Sequence, residues 1–172
     1  FYKCFSLETL IFTKGGDKAL SFGTQAFVGC KALTELNLPN RISGMTTAYD
    51  VFEKYSVGTT VYPYSEVFAL SNDYQQVTAA GVAAINVEEG GRNFSSFDGI
   101  LYTANRAELV YCPVRRKGIV TVSKDAVSFG EVAFYNCTKI KSIVFEDGGT
   151  ADFVLRDSTS ASDNYTFYNC FA

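Results

Sequence analysis

The stretch that decides the fold runs Ser21-Phe22-Gly23-Thr24-Gln25-Ala26-Phe27-Val28-Gly29-Cys30-Lys31-Ala32-Leu33-Thr34-Glu35-Leu36-Asn37-Leu38. It recurs further along the chain. Ser128-Phe129-Gly130 leads through Ala133-Phe134 to Cys137, and then to Ile140, Ile143 and Phe145 at the same offsets. Phe1 and Cys4 precede Leu7, Leu10 and Phe12 in the same way, and Phe167 and Cys170 repeat the beginning of the phrase. Four of the five cysteines therefore stand three residues after a phenylalanine. A further copy, Val82, Ile85 and Val87, keeps the aliphatic triplet but has Ala79 in place of the cysteine. Paired glycines close three of the triplets, at Gly15-Gly16, Gly90-Gly91 and Gly148-Gly149. Self-similarity of this kind marks a stack of like units.

The spacing has a direct physical meaning. The last two triplet positions, such as Leu36 and Leu38, differ by two, so in a strand both point to one face. Glu35 and Asn37 then face solvent. One coil cannot bury its apolar side alone, but stacked coils can, with their strands paired as a parallel sheet. Phe27 and Phe134 are expected to fill each coil from the opposite wall. Cys30 and Cys137, small and apolar as thiols, fit where the chain turns toward the strand. The glycine pairs supply the backbone freedom of the return turn. Leu10 to Leu36 spans 26 residues, one coil. Leu36 to Ile85 spans 49, which predicts a degenerate coil between them at 50–75, and Ile85 to Ile143 spans 58, a coil plus an insertion.

The phrase Ala-Phe-x-x-Cys followed by Leu-x-x-Leu-x-Leu resembles the BspA-like (Treponema-type) leucine-rich repeat. Asn93-Phe94-Ser95-Ser96-Phe97-Asp98-Gly99-Ile100-Leu101-Tyr102 is similar to the hairpin found between such repeats. Leu109-Val110-Tyr111-Cys112-Pro113 and the apolar run Ile119 to Val122 resemble its return strand and re-entry into the next coil. The expected fold is a curved, right-handed leucine-rich-repeat solenoid, α/β or mainly β, with short parallel strands on one face and an inserted β-hairpin. A single domain spans 1–172: regular coils at 1–49, the degenerate coil at 50–75, a coil at 76–92, the hairpin insertion at 93–118 and further coils at 119–172. The abrupt first and last residues read as those of a fragment, with any targeting signal or anchor expected elsewhere. The resemblance implies an extracellular or cell-surface protein of a host-associated bacterium or a parasitic protist, of a kind that adheres to proteins, matrix or cells.

Composition narrows the chemistry. Of the 172 residues, 47% are hydrophobic and 15% aromatic, too rich in core-forming side chains for a disordered chain. The net charge of -3 offers no surface-wide attraction for nucleic acid, and Arg115-Arg116-Lys117 is too short to be a footprint for it. No apolar run is long enough to insert in a membrane; Thr78 to Val87 stops at Glu88-Glu89. There is no histidine, which removes Ser/His and Cys/His nucleophile pairs and most catalytic zinc sites. The carboxylate pairs Asp50/Glu53, Glu88/Glu89 and Glu146/Asp147 read as solvated loop rims. No phosphate-binding or calcium-binding loop is present. The sequence therefore points to no enzyme, no cofactor and no metal site.

The cysteines are separated by a coil or more, unlike zinc ligands. Equivalent cysteines such as Cys4 and Cys30 fall within the reach of a disulfide, but their parallel side chains favour buried thiols. The sequons at Asn93, Asn136 and Asn164 overlap the repeat phrase; for a bacterial source they are read as accidents of it. Tyrosines crowd the irregular region, and Tyr49, Tyr55, Tyr62 and Tyr64 are the candidate ligand contacts. Tyrosine offers a rigid amphipathic surface to a protein or a sugar. The alternative is that these rings pack the degenerate coil. Three functions stay open: a protein-binding or adhesion module, a passive spacer displaying another domain, and a carbohydrate-binding module.

Overall fold

The computed structural model describes residues 1, 4–12, 18–20, 22, 27, 30, 32–42, 55–57, 60–62, 82–130, 133–134, 137–155, 166–167 and 170, with 55–57 and 60–62 described by backbone alone. Among the described residues ten short strands form: β1 (Glu35–Leu38), β2 (Tyr55–Val57), β3 (Thr60–Tyr62), β4 (Ala84–Val87), β5 (Phe94–Phe97), β6 (Ile100–Thr103), β7 (Glu108–Tyr111), β8 (Gly118–Val122), β9 (Ser128–Phe129) and β10 (Ile140–Phe145).

The spacing of three that runs through the repeat is a pair of consecutive turns. Cys30 N–H donates to Phe27 O and Leu33 N–H to Cys30 O, both at 3.1 Å. The same two bonds recur at Phe1-Cys4-Leu7, and at Phe134-Cys137-Ile140 with lengths of 3.1 and 3.4 Å. Residues three apart in such turns lie one above another, so the ring, the thiol and the first aliphatic side chain share one side of the chain. That side is the interior: Phe27, Cys30, Leu33, Phe134 and Cys137 are all buried.

Phenylalanines at equal positions stack between coils. Phe1 lies on Phe27 at 5.7 Å and 8° between planes, and Phe134 on Phe167 at 5.4 Å and 7°. The earlier ring of each phrase meets the later one edge-on, Phe22 to Phe27 at 5.0 Å and Phe129 to Phe134 at 5.1 Å. Both are favourable aromatic geometries.

The triplets pair as rungs. β1 and β4 are parallel with Leu36 opposite Ile85 and Leu38 opposite Val87. β8 and β10 are parallel with Val120 opposite Ile143 and Val122 opposite Phe145. Leu36, Leu38 and Ile85 are buried, while Glu35 and Asn37 face outward as the period of two requires. β1 and β4 pair directly although 49 residues separate Leu36 from Ile85. The degenerate coil expected at 50–75 lies outside the described residues except for β2 and β3, which pair antiparallel with each other. Phe145 lies on the same face of β10 as Ile143 and its ring meets Phe129 at 6.2 Å and Phe153 at 4.9 Å, yet it stays 49% exposed. Among the described residues β10 pairs with β8 alone, which leaves its far side without a cover. Ile140 and Ile143 are correspondingly only half-buried.

The hairpin at 94–103 is the first part of a three-stranded meander. β5, β6 and β7 run antiparallel, and β9 joins β7 in parallel. The turn between β5 and β6 is Asp98-Gly99 with φ of 52° and 71°, the left-handed pair that a two-residue hairpin demands. Arg116 holds Asp98 in an ion pair at 2.5 Å, and Ile85 N–H donates to Gly99 O at 2.8 Å, so the turn is tied to β4 and to the next coil. The meander does more than interrupt the stack. Leu101 and Tyr111 enter the core that contains Leu36 and Ile85, whereas Ile100, Tyr102 and Leu109 enter the core that contains Phe134 and Val120. It is a wall buried on both faces, which explains its near-continuous apolar run.

The glycine pairs divide their task. Gly90 and Gly148 take φ of +80° and +91°, which L side chains rarely adopt. Their followers make close approaches: a Cβ on Gly91 would sit 1.9 Å from Phe94 O, and one on Gly149 2.9 Å from Lys124 O.

Candidate binding surface

Outward positions of the parallel strands are the surface that the stack exposes. On β1 and β4 they are amides: Asn86 Nδ2 donates to Asn37 Oδ1 at 2.9 Å, directly across the register. On β8 the outward Ile119 is 63% exposed, and in the first coil Ile11, flanked by Leu10 and Phe12, is 83% exposed.

Two hollows open where these strands end. The first, of about 430 Å³, has Leu10, Ile11 and Phe12 on one side and Asn37, Leu38, Pro39, Asn86, Val87 and Glu88 on the other. The second, of about 500 Å³, lies between Val87–Gly91, Ser95, Ser96, Ala104, Asn105, Arg106 and Asp125. Val87 and Glu88 line both, so the two hollows flank the C-terminal end of β4. The first is walled mainly by apolar side chains, with Asn37, Asn86 and Glu88 among them. The second brings Glu88, Glu89 and Asp125 around one cation, Arg106. Arg106 is held at φ 59° and its guanidinium lies 5.6 Å from the centre of the Phe97 ring. A third hollow of about 280 Å³ lies between Ile140–Ile143 of the β10 rung and Phe167 and Cys170.

The groups with displaced proton affinity are set by burial. Desolvation pushes the Cys170 thiol up to about 11 and the Tyr102 phenol up to about 12. It also raises Cys30, Cys112 and Tyr111. A raised thiol stays protonated, the reverse of what a nucleophilic cysteine needs. Among the described residues no group of three or more His, Cys, Asp or Glu side chains could hold a metal ion, and no helix is long and apolar enough to cross a membrane.

The five cysteines are unbridged in the structure. Cys30, Cys112 and Cys137 are buried, as the repeat requires, but Cys4 is exposed, because its coil has no described neighbour on the outer side. Of the tyrosines singled out as ligand contacts, Tyr49 and Tyr64 lie outside the described residues. Tyr55 and Tyr62 stand opposite each other in the β2–β3 register, and their side chains lie outside the described residues. Glu88, Glu89, Glu146 and Asp147 are exposed rim residues as expected; Asp50 and Glu53 lie outside the described residues. Sequence reasoning missed the rim of β4. Its signal was Glu88-Glu89 directly after an inward triplet, which places charge at the strand's mouth.

Stacked turns, in-register parallel rungs and an outward polar face define a leucine-rich-repeat protein. The chain belongs to the BspA-type leucine-rich-repeat family, whose model matches six copies over residues 1–73 and 117–172. The match includes 40–73, where the repeat phrase is hard to read, and omits both β4 and the meander. Among solved structures the chain is similar to the pneumococcal vaccine antigen PcpA, at 18% identity and a TM-score of 0.50, over 85% of this chain and 27% of that one. It is also similar to a leucine-rich repeat protein from Eubacterium ventriosum, at 16% identity and a TM-score of 0.41, over 72% of this chain and 32% of that one. The chain thus spans about a third or less of the length of either structure. No curated protein matches it.

Proposed function

We propose that this chain is a non-catalytic, protein-binding module of a secreted or cell-surface protein, and that it grips a polypeptide segment along the rim of β1 and β4. The observation that carries the reading is that Val87 and Glu88 line both hollows, which places them side by side at the end of β4. An apolar cleft beside a charged one suits an extended peptide with a hydrophobic anchor and an adjacent basic or amide side chain. The paired amides of Asn37 and Asn86 lie at the cleft wall and add hydrogen-bonding groups for a backbone. Family membership and the likeness to a pneumococcal antigen agree with an adhesive or display role. The raised thiols and the lack of histidine weigh against catalysis.

The test is to immobilise the chain and expose it to arrays of matrix proteins, cell-surface proteins and glycans, alongside Ile11→Asp and Arg106→Glu. Binding to a protein, weakened at least tenfold by both substitutions, supports the reading. Binding to glycans alone would move the assignment to a carbohydrate-binding module. Silence on every array would leave a passive spacer.

A further inference from the structure

Across the described coils the repeat cysteine donates its thiol hydrogen to a fixed place one coil earlier. Cys30 Sγ reaches Phe1 O at 3.0 Å, and Cys170 Sγ reaches Phe134 O at 2.6 Å. Cys137 Sγ makes the same bond to Cys112 O at 3.4 Å. A second set of bonds gives the same alignment. Phe134 N–H donates to Thr166 O at 2.9 Å, and Cys112 N–H donates to Ala133 O at 2.7 Å. Each acceptor is the residue just before the next coil's phenylalanine. By both criteria Cys112 occupies the slot that holds Phe1 and Phe134 in other coils. This coil has a thiol where its relatives have a ring.

The consequence follows from the stacking. Elsewhere the repeat cysteine sits behind a phenylalanine of the preceding coil. Here Cys137 lies against another cysteine, its Sγ 3.4 Å from Cys112 O, and both residues are fully buried. Cys137 and Cys170 are stacked equivalents whose side chains leave their coils in parallel. Cys112 and Cys137 come from different slots, so they are not stacked equivalents, and Cys137 Sγ lies 3.4 Å from the Cys112 carbonyl, close enough for a disulfide to be tested between them.

We propose that Cys112 and Cys137 are a disulfide-forming pair that locks the end of the meander to the following coil. The oxidant is a disulfide of the glutathione class. One protein thiolate attacks it, forming a mixed disulfide and releasing one thiol. The second protein thiolate then attacks the protein-bound sulfur and releases the other thiol. Two S–H bonds and one S–S bond are lost, one S–S bond and two S–H bonds form, and the oxidant is reduced to two thiols. Burial holds the Cys112 thiol protonated, so the folded, reduced protein reacts slowly and the bond forms while the coil is still open.

The experiment refolds the reduced full chain from denaturant in a buffer of oxidised and reduced glutathione, followed by peptide mapping without reduction. The expected product is two hydrogens lighter, has two fewer reactive thiols than the five of the reduced chain, and yields a Cys112–Cys137 linked peptide. Cys170→Ala should keep that linkage and Cys112→Ala should abolish it. A link that involves Cys170 or Cys30, an unchanged yield of crosslink in Cys112→Ala, or five thiols still reactive after refolding would each overturn the proposal.

Discussion

The direct pairing of β1 with β4 can be tested by a double-mutant cycle on Leu36 and Ile85. The two side chains are fully buried and stand opposite each other on neighbouring rungs. Neighbouring strands lie about 4.8 Å apart, so these side chains touch; a rung between them would roughly double that distance and end the contact. Truncating either to alanine in a packed core costs about 2–5 kcal/mol, including the cavity left behind. If the two share one cavity wall, the second truncation removes contacts that the first has already lost. The double variant Leu36→Ala/Ile85→Ala should therefore be less destabilised than the sum of the singles by about 1 kcal/mol, within the range seen for residues in contact. Urea unfolding followed by circular dichroism measures all four corners of the cycle. Leu36→Ala with Val122→Ala is the control, since these residues lie in separate cores. Additivity within about 0.5 kcal/mol for Leu36 and Ile85 would show that they are not neighbours, and the direct pairing of β1 with β4 would be refuted.

Other outcomes follow from the same geometry. Gly91→Ala, whose Cβ would meet the Phe94 carbonyl, should lose more stability than Gly90→Ala, for which only the positive φ resists at about 1 kcal/mol; the reverse order in urea unfolding would contradict the division of roles. In the reduced native protein Cys4 should react with a thiol reagent, while Cys30, Cys112 and Cys137 wait for unfolding; mass mapping of the label decides it, and early labelling of Cys137 would break the expectation. Tyr102 has its pKa raised in the folded state from 10.0 to about 12, so the folded state binds the proton more tightly. Its contribution, on the order of 2 kcal/mol, is fully present below the unfolded value near 10 and is lost as pH climbs toward 12. Tyr102→Phe should flatten that alkaline loss, read from unfolding free energies across the range; an unchanged slope would mean the phenol is not protected.

The repeat was legible because burial acts on every coil alike. Leu33, Leu36 and Leu38 recur at the offsets of Ile140, Ile143 and Phe145, and only a shared interior explains so many correlated apolar positions. The binding rim was less legible. Its hollows are walled by Ile11, Asn37, Glu88 and Arg106, which lie far apart in the chain and obey no period. Outward residues are free of the packing constraint, so nothing in their spacing announces that they meet.

The same distinction runs through the finer details. From sequence alone come the class of fold, the inward triplets and the glycine pairs, because each depends on the local turn and on a period of two. Which rungs are neighbours is decided by the pairing of β1 with β4 across 49 residues of sequence, and spacing alone does not fix that pairing. Why each turn needs two glycines emerged only when Phe94 O and Lys124 O were seen against the second of each pair. The place of Cys112 in a phenylalanine slot rests on hydrogen bonds between coils, and a contact between coils exists only once the chain has stacked.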